Sequence, residues 1–83
     1  MSRYKKLLDR FLSKPNDFTF KELTTLLYSL NFYLDNKGKT SGSAVIFINK
    51  EYNIRIKMHK PHGSKPLLRY QIDKVIKQIE RII

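Results

Sequence analysis

The chain has 83 residues, enough for one domain with one small hydrophobic core but not for two domains. Hydrophobic residues make up 41% of it, with five Phe and five Tyr, so a disordered tail is excluded. The chain has no cysteine, which excludes disulfides and thiolate zinc sites and favours a reducing compartment. We expect neither a bound metal nor a small-molecule cofactor.

The charge favours a polyanionic partner. Seventeen Lys and Arg stand against seven Asp and Glu, a formal net charge of +10, and between Lys37 and Arg69 there are eight basic residues and one acid. Nucleic acid is the first candidate, and an anionic membrane, an acidic protein or a generally solubilising surface are the alternatives. With no apolar run long enough to span a bilayer and no signal-peptide pattern, we expect a cytoplasmic protein that does not bind membranes.

The first part of the chain predicts two amphipathic helices. Apolar residues at spacings of three and four predict a helix over 3–14, which Pro15 should stop. Thr19 and Glu22 then match the Thr-x-x-Glu capping box that opens many helices. A second helix is therefore predicted over about 20–30.

The remainder predicts three strands and a last helix. Phe32, Tyr33 and Leu34 predict a short strand that leads into a turn. The segment 44–49 is apolar on both faces and should be central, and 54–58 alternates strictly. Beyond a Pro- and Gly-containing loop, apolar residues from Leu68 to Ile83 again show helical spacing. The connections are short enough for an antiparallel meander.

This order predicts an α+β fold, the αβββα arrangement of double-stranded-RNA-binding domains with a three-stranded antiparallel sheet. Such domains read the shape of A-form RNA with cations from loops and helix ends. We expect one domain over 1–83, in which 1–15 form an additional N-terminal helix and 20–83 form the core.

Loop and strand cations are the candidate RNA contacts. The loop 37–43 combines hydroxyls, glycines and lysines, so its backbone N–H groups could meet a phosphate; a merely flexible hairpin loop is the alternative. Strand alternation places further cations on one exposed face. The candidate RNA-binding residues are Lys37, Lys39, Ser41, Ser43, Arg55, Lys57, Lys60 and Lys65.

His59 and His62 are the candidate catalytic residues, because histidine titrates near neutrality. RNA can be cut without a metal if a base takes the 2′-hydroxyl proton, cations stabilise the phosphorane and an acid protonates the leaving oxygen. His59 extends the cationic strand face. The alternative is that both are surface histidines without a chemical role. Tyr33, Tyr52 and Tyr70 could stack on bases or simply pack.

Two short motifs resemble the HicA toxins of bacterial type II toxin–antitoxin systems. Family members carry Gly-Ser-His-x-x-Phe/Tyr on the sheet, which Gly42, Ser43 and Phe47 match in part. A proline and histidine then precede a Lys-x-Leu and the final helix. Pro61, His62, Lys65 and Leu67 match this second motif. The resemblance covers about 20–79 and implies an endoribonuclease that cleaves mRNA and is held inactive by a HicB antitoxin.

The family's catalytic histidine falls on Ala44, which has no proton to exchange. Three explanations are open: a deliberately disarmed variant, a divergent branch that uses His59 or His62, or lost cleavage with retained binding. The divergent branch is favoured, because the TSGS and HKPH segments depart from the common pattern together. A non-catalytic RNA-binding module and a domain that docks an acidic protein are the rival functions.

Overall fold

The computed structural model describes residues 3–35, 44–61 and 63–83. Their elements follow one another as α1 (Arg3–Leu12), α2 (Phe20–Ser29), β1 (Tyr33–Asp35), β2 (Ala44–Asn49), β3 (Ile54–His59) and α3 (Arg69–Ile79). The three strands form one antiparallel sheet in the order β1-β2-β3. The predicted α+β fold, with three helices and a central β2, is confirmed.

The first helix ends at Leu12, two residues before the predicted end at residue 14. Lys14 has φ 56, and its amide donates to the Phe11 carbonyl at 2.9 Å. The residue before a proline is disfavoured in right-handed helical backbone, so Lys14 leaves the helix before Pro15 is reached.

A single arginine joins α1 to the start of α2. The Arg10 guanidinium donates to the Glu22 carboxylate at 2.8 Å and to the Asp17 carboxylate at 2.9 Å. It also lies 5.0 Å from the centroid of the Phe18 ring, which in turn packs on Phe11 at 4.9 Å. The additional N-terminal helix is therefore packed into the same core as the rest of the domain.

The predicted capping box at α2 is confirmed. The Glu22 amide donates to Thr19 Oγ1 at 3.2 Å, and the Thr19 amide donates to Glu22 Oε1 at 3.0 Å. Two N–H groups that the helix cannot satisfy itself are thus paired. This junction fixes where α2 begins.

The core lies between the helices and one face of the sheet. It is made of aromatic and aliphatic side chains from every helix and from β2 and β3, including Phe11, Phe18, Leu23, Leu26, Leu27, Phe47, Ile54, Ile56, Ile72, Val75 and Ile79. The terminal apolar stripe is shorter than predicted. Leu68 and Ile83 are exposed, because α3 spans only Arg69–Ile79. None of the helices in the described residues is long and apolar enough to cross a bilayer.

Asn49 is the one fully buried polar side chain among the described residues. Its Nδ2 donates to the Leu30 carbonyl at 3.0 Å, and its Oδ1 accepts from the Tyr52 amide at 2.9 Å. The end of α2 and the β2–β3 turn are thereby tied to the last residue of β2. The turn follows with Asn53 at φ 54, a left-handed backbone that asparagine tolerates.

Asn49→Ala should lower the free energy of unfolding by about 1–3 kcal/mol, because it leaves the Leu30 carbonyl and the Tyr52 amide without their partner. Urea unfolding followed by circular dichroism measures it. The exposed Asn16 provides the matched control, and Asn16→Ala should stay within about 0.5 kcal/mol of the parent. Equal stabilities for the two variants would contradict a bridging role for Asn49.

Candidate functional site

The face of the sheet that points away from the core carries a row of cations on β3. Burial alternates along the strand, with Ile54, Ile56 and Met58 buried and the intervening residues exposed. The predicted alternation is thus confirmed. We call the exposed row, Arg55, Lys57 and His59, the outer cationic edge.

The strand register places uncharged residues of β2 beside the outer cationic edge. Arg55 faces Ile48, Lys57 faces Ile46 and His59 faces Ala44 across the β2–β3 ladder. All three β2 residues are half-buried. On the far side of β2, Tyr33 of β1 faces Ile48, and the Lys50 ammonium lies 5.8 Å from the centroid of its ring. The outer face thus combines a basic rim with an apolar centre.

Side chains of α3 bind the backbone of the outer cationic edge. Lys74 Nζ donates to the Lys57 carbonyl at 2.8 Å, and Gln71 Nε2 donates to the His59 carbonyl at 2.9 Å. β3 is an edge strand, so these carbonyls point away from β2 and would otherwise need water. Residues whose carbonyls point outward form the non-hydrogen-bonded pairs of the ladder.

His59 and Ala44 therefore form a close cross-strand pair. Facing Cα atoms at non-hydrogen-bonded positions are about 4.5 Å apart, and their side chains lie nearer than at the other positions. A small cleft of about 160 Å³ opens beside His59, between β3 and α3. We call it the edge cleft; its lining residues are Lys57, Met58, His59, Tyr70, Gln71 and Lys74.

The structure divides the predicted cations between two surfaces. Arg55, Lys57 and His59 lie together on the outer face, whereas Lys60 and Lys65 line a groove against α2. Lys60 Nζ lies 5.6 Å from the ring centroid of Phe20, whose ring packs on buried Phe47. Lys60 thus turns to the helical side of the sheet, although His59 is its direct neighbour. The other candidates, Lys37, Lys39, Ser41, Ser43 and His62, lie outside the described residues.

The ion pairs of the described side chains do not engage the predicted RNA-binding cations. The pairs between described side chains engage Arg10 with Asp17 and Glu22, and Lys14 and Arg69 with Asp73. None of the pairs within 3–35, 44–61 and 63–83 includes a predicted RNA-binding residue. Within the same ranges, no three His, Asp or Glu side chains come together as a metal-ligand group.

Sequence reasoning did not single out Gln71 or Lys74. Both lie on α3, and Tyr70 and Lys74 are four residues apart, which places them on one face of the helix. That spacing was visible in the sequence. The sequence did not show which strand Gln71 and Lys74 would contact, because this depends on how α3 crosses the sheet.

Comparison with known proteins identifies the family. The sequence model of a family described as the HicA toxin of bacterial toxin–antitoxin matches residues 20–80. The chain belongs to the HicA toxin family. It is thus a toxin-type member of a toxin–antitoxin system, as the two motifs predicted. Comparisons with curated proteins and with solved structures found no match.

Gln71→Ala should destabilise this HicA chain by about 1–3 kcal/mol, because the His59 carbonyl and the Leu68 amide both lose their partner at a buried side chain. Urea unfolding measures the loss, and hydrogen exchange should show faster exchange of the Leu68 amide. Gln78→Ala, on the same helix and half-buried, is the control. A Leu68 amide that exchanges equally slowly in both variants would argue against the Gln71 bridge.

Proposed function

We propose that this HicA family chain binds RNA across its outer cationic edge and cleaves mRNA without a metal ion. A HicB-like antitoxin would neutralise it by covering that edge. The observation behind the proposal is the cross-strand pairing of His59 with Ala44, the position at which the family resemblance puts the catalytic histidine. Lys57 and Lys74 beside the edge cleft supply the positive charge that the reaction needs.

Position 59 can serve the same reaction space as position 44. Facing residues of an antiparallel pair have Cβ atoms about 4.5–5.5 Å apart, and both side chains project from the same side of the sheet. An imidazole on β3 therefore reaches the volume in front of β2 that a side chain at 44 would occupy. The small methyl group of Ala44 leaves room for it.

The proposed reaction is an intramolecular transesterification at phosphorus. A nitrogen of the neutral His59 imidazole takes the proton of a ribose 2′-hydroxyl, and the oxygen attacks the adjacent phosphorus. The bond from phosphorus to the 5′ oxygen breaks, and that oxygen receives a proton from a second group. The products are a 2′,3′-cyclic phosphate and a 5′-hydroxyl, and no water is consumed.

The charges around His59 fit the needs of that transition state. The phosphorane carries additional negative charge on its oxygens, and fixed cations stabilise it more than they stabilise the bound substrate. Lys74 is held by its bond to the Lys57 carbonyl, and the Lys57 side chain projects from the adjoining strand. His62 stays the candidate for the second proton transfer on the sequence motif alone.

RNA binding without cleavage is the second candidate function. Ala44 favours it, because the family's own proton-transfer position is empty of a titratable group. The binding surface would be the same in both cases. Cleavage products distinguish the two functions.

An antitoxin that acts by occlusion has to compete with RNA for these cations. It would therefore present carboxylates to Arg55 and Lys57, and its affinity would fall as salt rises. The apolar centre formed by Ile46 and Ile48 would supply contact area that RNA phosphates do not use.

His59→Ala should reduce the rate of transcript cleavage in EDTA by about 100- to 10,000-fold, the usual effect of removing a general base. RNA affinity should change little, and Ala44→His in the same chain should restore fragments. The readout is gel analysis of a labelled transcript, with the cyclic phosphate end identified chemically. Intact, shifted RNA from the unaltered protein, with fragments appearing only after Ala44→His, would establish the binding module instead.

Lys57→Ala should weaken RNA binding about equally for all sequences and lower the salt slope of log affinity by about 0.7–0.9. The reason is that RNA releases one counterion fewer on binding when one phosphate is no longer neutralised. Lys5→Ala, an exposed lysine on α1 outside the matched residues 20–80, is the control and should leave the slope unchanged. Identical slopes for the two variants would remove the outer cationic edge from the interface.

A further inference from the structure

A second concave surface lies on the helical side of the sheet, next to the end of β3. It is a groove of about 590 Å³ between α2 and the loop that follows β3. This volume lies within the ~300–1,000 Å³ common for sites that hold a small molecule or one unit of a polymer. We call it the lysine groove, because Lys21, Lys60 and Lys65 line it.

One wall of the groove is a stripe of α2 beside the helix's buried face, and its first residue, Phe20, also packs against the core. The buried face of α2 is made by Leu23, Leu26 and Leu27. Phe20, Thr24 and Tyr28 follow one another at intervals of four on a different face, and all three line the groove. The other wall is made by described residues that follow β3, namely Lys60, Pro61, Gly63, Ser64 and Lys65.

The described lining has one sign of charge and one open aromatic ring. Its three lysines stand with no acidic residue among the described lining side chains. The Phe20 ring already has the Lys60 ammonium 5.6 Å from its centroid. Tyr28 is 52% exposed, so its ring is open to a ligand. An anion with a flat apolar part matches this combination.

We propose that the lysine groove holds one unpaired nucleotide of the RNA, with its base stacked on Tyr28 and its phosphate between Lys60 and Lys65. This inference rests on the proposed RNA binding and narrows it to a single-stranded substrate. A base within a duplex has both faces covered by its neighbours and cannot stack on a side chain.

The chain itself joins this groove to the proposed cleavage position. His59 lies in the edge cleft and Lys60 in the lysine groove, and consecutive Cα atoms are about 3.8 Å apart. A strand held at His59 therefore passes the end of β3 within reach of the groove. The nucleotide bound there and the one that is cut would thus be held by adjacent residues of the chain, so the groove would set which unpaired segments fit.

The experiment compares two exposed side chains. Tyr28→Ala should weaken binding of a labelled single-stranded RNA by about 5- to 100-fold, the effect of losing one stacked base. Tyr28→Phe should restore it. Leu12→Ala, at the end of α1 and 38% exposed, is the control and should leave affinity unchanged. Fluorescence anisotropy with 2′-O-methylated strands measures binding without cleavage.

A duplex of the same sequence separates this inference from RNA binding in general. Its affinity should fall with Lys57→Ala but not with Tyr28→Ala. If Tyr28→Ala and Leu12→Ala bind the single strand equally while Lys57→Ala binds it more weakly, the nucleotide site is wrong and RNA binding stands. The same result is expected if the groove instead binds an acidic protein segment. If the unaltered protein binds neither the single-stranded RNA nor the duplex, both proposals fail.

Discussion

One buried glutamine ties the end of β3 to the start of α3 and lines the edge cleft. Gln71 is 5% exposed, donates from Nε2 to the His59 carbonyl and accepts from the Leu68 amide at its Oε1. It thereby joins the last residue of β3 to the first turn of α3, with the intervening loop closed between them. Because one amide side chain satisfies both ends, the position of the loop is coupled to the position of the strand. A shift of α3 would therefore move one wall of the edge cleft relative to β3.

Local signals in the sequence predicted the elements, and tertiary contacts decided the site. The Thr19–Glu22 cap and the alternation from Ile54 to Met58 depend on neighbours within four residues, so they could be read directly. The family was also predictable, because its two motifs are continuous stretches. The hydrogen bond from Lys74 to the Lys57 carbonyl was not predictable, because it depends on the packing of α3 against an edge strand.

The cations were predicted to share one surface, and the described ones do not. His59 ends β3 with its side chain on the outer face, whereas Lys60, the first residue after the strand, lines the groove against α2. Periodicity says which residues share a face within a strand. It says nothing about a loop residue, whose direction is set by the ring of Phe20 on another element.

The N-terminal helix precedes the matched residues 20–80, yet Phe11 and Phe18 are fully buried and pack ring to ring. The cap residue Thr19 also lies just before that range. A protein trimmed to the matched range would begin at Phe20 without its cap, and Leu23 and the rest of the apolar face would meet solvent. Such a truncation would aggregate, because the limits of family similarity fall inside the cooperative folding unit and not at its edge.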